Sequence, residues 1–306
     1  MRTATFEAGF ARVSLKPAMT IDKRFIDDVD ARAMVVRGGG RLAALVAADI
    51  VSIRGHLALP IRERVAEELG VPAAHVGVFS THNHGARTPE MDVEKFGAAC
   101  VEAAARAAAG LEPAEVARTS AGPASPLCIR RRITVPGIGA FTFWFGHRDL
   151  GNGRADGSHL LKLDISRLAT GNPSPIRSLT LGQEPAPGDF EVPDAPLPVE
   201  EPALFPEAAD DLLQALFFRS PDGRPIGSLL RFPAHAVTAN RGDVDWRSGD
   251  FPTYACARLE ETFGGSSLFV PGPSGDQCPI VERKRLALAR ALGAEIADLA
   301  AKGLAD

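Results

Sequence analysis

The sequence predicts an α/β fold, layered sheets flanked by helices, read as one domain over residues 1–306. Strand and helix signals alternate along the first third, and short apolar runs return after about residue 210 between further helical stretches. Such alternation is what sheets covered by helices require. In addition, four apolar runs end in polar residues. Ala43–Ala48 runs into Asp49, His75–Ser80 into Thr81-His82-Asn83-His84, Ile226–Ala234 into His235, and Ser267–Val270 leads to Gly275-Asp276. Ligands in layered α/β folds gather beyond the carboxyl ends of strands, so four such ends outline one candidate rim.

Arg32–Arg37 reads as a strand, and Gly38-Gly39-Gly40 supplies a turn into the strand that ends at Asp49. Residues 55–69 have helical spacing, with Leu57, Leu59, Ile61, Val65 and Leu69 largely on one side, and Gly70 and Pro72 stop the helix. The alanine-rich stretch Glu94–Leu111 predicts a second helix. From Thr119 to Leu181 the runs are shorter and β-like, as in Arg132–Val135 and Phe141–Phe145. Gln183–Pro206 mixes acidic residues with Pro185, Pro187, Pro193, Pro196, Pro198 and Pro202, a surface crossover loop, long enough to be a lid, rather than a packed element. Leu212–Phe218 and Ile226–Phe232 form a hairpin around Ser220–Pro225, where Pro221, Asp222 and Gly223 are suitable turn residues. Phe251–Phe263 and Arg285–Leu299 predict the last helices, the first ended by Gly264-Gly265. There is no internal repeat.

Composition narrows the function classes. A net charge of −4 gives no general attraction for nucleic acid or an anionic membrane, and 45% hydrophobic residues suit an ordinary packed core. The first residues lack the apolar run of a signal peptide, and no stretch has the roughly 18 consecutive apolar residues of a membrane helix. Cys100, Cys128, Cys256 and Cys278 are scattered without CxxC spacing, which fits reduced thiols and a cytoplasmic address. The expected partner is a small-molecule substrate; nothing in the sequence sets an oligomeric state.

Thr81-His82-Asn83-His84 is the sharpest local signal. In an extended segment residues i and i+2 project to one side, so both imidazoles would face one metal or substrate, and neutral histidine is a common zinc ligand. The simpler alternative is two hydrogen-bonded histidines at a strand end. Gly85–Pro89 then follows as a tight loop with little bulk. His235 alone would be a satisfied core histidine, but a β-run delivers it and Asn240, Arg241, Asp243 and Asp245 follow. Asp250, ahead of Phe251-Pro252, reads as a helix cap in preference to a ligand.

In the loop Pro271–Pro279, Asp276 is able to bind metal, orient a histidine or act as general base. Cys278 is either a nucleophile, given a stabilised thiolate, or a small buried hydrophobe. Asp49 follows a fully apolar strand, where a carboxylate is costly to bury without a partner, so it is a ligand or a residue supporting one. Arg130-Arg131-Arg132 suits a substrate carboxylate or phosphate, or is a solvated basic face.

Gly9–Pro17, the Asp49 strand, Phe79–His84, Phe232–His235, Ser248–Pro252 and Gly275–Pro279 occur in the order seen in neutral/alkaline non-lysosomal ceramidases, and the chain resembles their N-terminal catalytic domain from about Phe6 to Ala300. The resemblance implies a zinc-dependent amidase that cleaves an N-acyl bond, with zinc on His82 and His235. It implies that His84 and Arg130–Arg132 hold the substrate or a developing oxyanion. Two departures stand out. Where the family has a catalytic serine in Gly-Asp-x-Ser-Pro, this chain has Cys278. The family also takes a glutamate and a tyrosine zinc ligand from sequence further on, a position that Tyr254 does not match, so Asp49, Asp276, Glu282, a neighbouring subunit or water would complete the set.

These readings converge on a metal-dependent hydrolase, zinc the expected metal, cleaving an amide or ester bond of a substrate smaller than ceramide. Its expected metal ligands are His82, His235 and Asp49. His84, Asp276 and Cys278 are the catalytic candidates, and Arg130 and Arg131 the substrate-binding ones. The alternatives are a binding protein of the same fold without catalysis, or a metal-free hydrolase with Cys278 as nucleophile and His84 or His235 as base.

Overall fold

In the computed structural model, Gly39 and Gly40, at φ 57° and 73°, close a two-residue turn between β2 (Asp30–Gly38) and β3 (Arg41–Ala48). Positive φ at both central positions matches the twist of paired antiparallel strands, and glycine adopts it freely. The described residues are 6–86, 90–125, 127–130, 132–135, 139–142, 176–178, 209–239, 245–279 and 286–305. The loop 183–206 and Arg131, Asn240, Arg241, Asp243 and Glu282 lie outside them.

β1 (Glu7–Ser14) pairs antiparallel with β2 along its whole length. From β3 the chain passes through α1 (Gly55–Leu69) to β4 (Val76–Ser80), which lies parallel beside β3. The first sheet therefore has the order β4-β3-β2-β1, with Glu112–Pro113 beyond β1. A second sheet is built from β5 (Glu115–Ala121), β6 (Leu213–Arg219), β7 (Pro225–Phe232) and β8 (Ser266–Pro271), in the order β8-β7-β6-β5. β7 and β8 are parallel and joined through α3 (Asp250–Thr262), a second strand–helix–strand unit.

Strand alternation sorts the side chains into three apolar layers. Ala31, Ala33, Val35 and Val46 pack with Ile61 and Val65 of α1 and with Phe96 and Ala103 of α2 (Val93–Ala109). The other face of that sheet offers Met34 and Ala47 to Phe218 and Leu268 of the second sheet. Beyond it, Leu213, Phe217, Leu230 and Phe232 meet Phe251 and Leu259 of α3 and Ile296 of α4 (Leu286–Ala305). The result is four layers, helices–sheet–sheet–helices. The sheets press close enough at Gly227 that a Cβ there would stand 2.6 Å from the Phe10 ring.

The predicted class holds, and β2, β3, β4, β6, β7, β8 and the four helices fall where the sequence placed them within a few residues, except that α4 runs on to Ala305, past the predicted end at Leu299. β1 has no counterpart among the predicted strands. Its run Glu7-Ala8-Gly9-Phe10-Ala11 is mostly small residues with little intrinsic strand preference, and pairing with β2 decides its conformation. The β-like middle contributes the three strands Arg132–Val135, Gly139–Thr142 and Ile176–Ser178, and Cys128–Arg130 pairs with Gln277–Pro279. Among the described residues no helix is long and apolar enough to cross a membrane.

Candidate metal centre

The exits of β3, β4, β7 and β8 meet, as the four polar strand ends predict. β4 stops at Ser80, and His82 takes a left-handed backbone at φ 62°. Histidine is among the residues that tolerate that region, and backbone held there against its preference concentrates at functional sites. The two histidines of the His-Asn-His run do point to one place, but not by strand alternation: the chain has left the sheet, and a turn swings them together. Asn83, fully buried, fixes that turn by donating to the Asp49 carbonyl (3.3 Å) and accepting from the Gly85 amide (2.8 Å).

Three imidazoles converge: one ring nitrogen each from His82, His84 and His235 lies within 4.8 Å of the others. Nε2 of His82 is 2.8 Å from Nε2 of His235 and 3.4 Å from Nε2 of His84. The opposite nitrogens are held by main chain. Nδ1 of His82 lies 2.6 Å from the Val51 carbonyl, after β3, and Nδ1 of His235 lies 2.5 Å from the Ser274 carbonyl, after β8. A carbonyl oxygen only accepts, so both Nδ1 atoms carry a proton, and in the neutral rings both Nε2 atoms present lone pairs to each other. Two lone pairs at that separation repel unless a shared proton or a metal cation lies between them.

A zinc ion satisfies this arrangement. Tetrahedral coordination with Zn–N of about 2.0–2.1 Å separates neighbouring nitrogens by about 3.3 Å, close to the 3.4 Å between His82 and His84 and somewhat wider than the 2.8 Å between His82 and His235. A ring whose far nitrogen donates to a carbonyl is the usual support behind a metal-bound histidine. The donor set therefore fits the metal: the first strand–helix–strand unit brings His82 and His84, the second brings His235, and each unit supplies the carbonyl that orients one of these rings. The halves are stitched together where the His84 amide donates to the Ala236 carbonyl at 3.3 Å.

Asp49 is placed elsewhere. Its carboxylate accepts from the Asp30 amide (3.0 Å) and lies 4.0 Å from Nε of Arg32, while the group of converging ligand atoms contains histidines alone. Arg32 is the residue that sequence reasoning missed. Buried on the face of β2 toward the second sheet, it donates to Glu260 (2.7 Å), the Ser267 carbonyl (2.9 Å) and Asp30 (3.1 Å). The charged partner that the structure gives the buried Asp49 is thus an arginine in the neighbouring strand.

Burial pushes the Asp49 carboxyl up to about 7; Arg32 opposes the shift and Asp30 adds to it. The folded value lies above the unfolded one, so this group's contribution to stability is full below about pH 4 and is lost as pH rises toward 7. Asp49→Asn resembles the protonated carboxyl at every pH. Wild-type stability is therefore expected to fall relative to the variant between about pH 4 and pH 7, read from denaturant midpoints across that range. Parallel pH curves would contradict this.

Asp276 is half-buried in the turn after Ser274, in the loop that holds His235. Gln277 ties that loop down: its side chain accepts from the Asp210 amide (3.1 Å) and donates to the Pro233 carbonyl, two residues before His235. Cys278 is 1% exposed in the short strand beside Cys128–Arg130, with Ile129 opposite. The main chain of Arg130 is paired with Gln277, next to the same loop. Tyr254 donates to Asp27 at 2.5 Å.

No protein-family model matches the sequence, and no curated protein does. Solved structures do match. Neutral ceramidase from Pseudomonas aeruginosa overlays with a TM-score of 0.62 at 15% identity, over 99% of this chain and 45% of that one. The chain has a neutral-ceramidase-like fold. A second structure, a ceramidase complexed with C2, overlays with a TM-score of 0.65 at 15% identity, over 99% of this chain and 44% of that one. The chain spans less than half the length of the ceramidases it matches. Such likeness extends to the fold, and the chemistry rests on the residues of the site.

Proposed function

We propose that the protein is a metal-dependent hydrolase of an amide or ester bond in a small substrate, with zinc held by Nε2 of His82, His84 and His235. One observation carries the reading: three imidazole nitrogens converge, and main-chain carbonyls fix the tautomer of two of them so that lone pairs face inward. This set moves His84 from a substrate-holding role to a ligand and releases Asp49 to the arginine network. The likeness to ceramidases supports an N-acyl amide as the scissile group.

A zinc ion there supplies Lewis acidity, polarising a carbonyl and acidifying water at neutral pH. The chain's own residues do the rest. The three neutral rings leave the ion's charge uncompensated, which favours an electron-rich substrate oxygen at the site. Asp276, at the turn beside His235's anchor, is our candidate to take a proton during attack and return it to the leaving group. Arg130, whose main chain pairs with Gln277, and Arg131 beside it are the candidates to hold a substrate carboxylate or oxyanion. To Cys278 we assign packing, because a nucleophilic thiolate needs an accessible, electropositive setting.

The test is purification without chelator, metal analysis, and assay of N-acyl amides and esters before and after chelation. About one equivalent of zinc per chain is expected, with hydrolysis abolished by chelator and restored by zinc. Hydrolysis indifferent to chelator would overturn the proposal, as would a zinc-loaded protein that binds such compounds without cleaving them.

A further inference from the structure

We propose that Asp250 is the positioning residue of this centre: its buried carboxylate, acting through the Thr238 and Ala239 amides, fixes the loop that aims His235 and braces His84. The inference rests on the metal-centre reading for its consequence and on hydrogen bonding for its geometry. Asp250 is fully buried, opens α3, and has a left-handed backbone at φ 63°. Its carboxylate accepts from the Thr238 amide (3.1 Å), the Thr238 hydroxyl, the Ala239 amide (2.8 Å) and the Phe251 amide (2.8 Å).

Capping a helix requires only one local acceptor, which serine or threonine supplies as well. It requires neither a positive φ nor two oxygens turned to a segment 11 and 12 residues away. That segment follows His235 directly, and residues 234–239 are buried, so each of their main-chain polar groups needs a partner inside the protein. Val237 donates to the His235 carbonyl (3.0 Å), and the Ala236 carbonyl accepts the His84 amide (3.3 Å). Asp250 takes the next two amides. Through one loop its carboxylate is thus connected to two of the three converging histidines.

The preceding residues hold Asp250 in this pose. The Asp250 amide donates to the Ser248 hydroxyl (3.0 Å), which itself donates to Asp27, and the Gly249 amide donates to Asp27 at 2.6 Å. A Cβ at Gly249 would stand 2.7 Å from the Asp28 carbonyl, so only glycine fits there. The run Ser248-Gly249-Asp250 reads as a built support.

Asp250→Asn tests it. Asparagine has the same size and tolerates the left-handed region, but it presents an NH2 group where one oxygen now receives an amide. Zinc affinity, from competition with a chromophoric chelator, is expected to fall about 10- to 100-fold, the range for losing a residue behind a ligand. Phe217→Leu, a change in the same apolar layer that touches none of these hydrogen bonds, controls for general loss of stability and is expected to bind zinc as wild type does. In metal-free protein, the His235 Nδ1 proton held by the Ser274 carbonyl is expected as a slowly exchanging resonance that Asp250→Asn loses while the His82 one survives. Thr238→Val, which removes only the hydroxyl, keeps the test open if Asp250→Asn does not fold, with an expected loss under about tenfold. Wild-type zinc affinity together with an intact His235 resonance would overturn the inference, as would a loss no larger than that of Phe217→Leu. If wild type binds no zinc, the metal reading falls and the resonance alone decides the positioning role.

Discussion

His82→Ala is expected to weaken zinc binding more than about 100-fold, beyond the loss typical of removing a residue that merely supports a ligand. Its Nε2 is the hub of the cluster, 2.8 Å from that of His235 and 3.4 Å from that of His84, so its removal takes away the nitrogen that lies near both of the others. His235→Ala should match it. His84→Ala separates two roles. As a ligand, His84 lowers zinc affinity by a comparable factor when lost. As a residue that only touches substrate, it leaves zinc affinity unchanged and raises KM. Chelator competition on the three variants, each checked for folding, distinguishes these results, and unchanged affinity in His82→Ala would remove it from the site.

The second large effect falls on stability. Arg32→Met is expected to cost about 3–5 kcal/mol at neutral pH, the usual result of deleting one member of a buried ionic group. Arg32 is 3% exposed at its side chain and stands among Asp30, Asp49 and Glu260. Without it, Arg12 still reaches Asp30 (3.7 Å) and Glu260 (3.4 Å), but neither contact serves Asp49. The cost should shrink in acid, because burial raises the carboxyls of both Asp49 and Asp30 and lets them accept protons instead. Arg32→Lys keeps the charge and loses the fork that reaches Glu260, Ser267 and Asp30 together, so an intermediate cost is expected. Urea midpoints at neutral and acid pH check all three statements, and a loss below about 1 kcal/mol in Arg32→Met would contradict a structural role for the network.

Much of this site was legible because strand ends are. Apolar runs stopping at Asp49, Ser80, Ala234 and Val270 announce parallel strands whose exits lie on one side, and the structure brings those exits together. That His82 and His235 share one rim follows from those ends; their pairing as metal ligands comes from the ceramidase resemblance. Other features depend on what crosses between the sheets, which a linear pattern does not record. Arg32 sits in a strand whose neighbours look like ordinary core, and only the packing of α3, with Glu260, and the second sheet, with Ser267, fixes it beside Asp49. The left-handed turn at His82 leaves no local mark, since histidine is permitted there but not diagnostic. Asp250 reads as a cap because its position fits one; its real partners, Thr238 and Ala239, are reached only by folding α3 back onto the His235 loop.

X-ray absorption at the zinc edge of the loaded protein tests the central claim most directly. Three imidazole nitrogens at about 2.0–2.1 Å are predicted, falling to two in His84→Ala. A spectrum with a single imidazole, or with sulfur in the coordination sphere, would contradict the three-histidine centre.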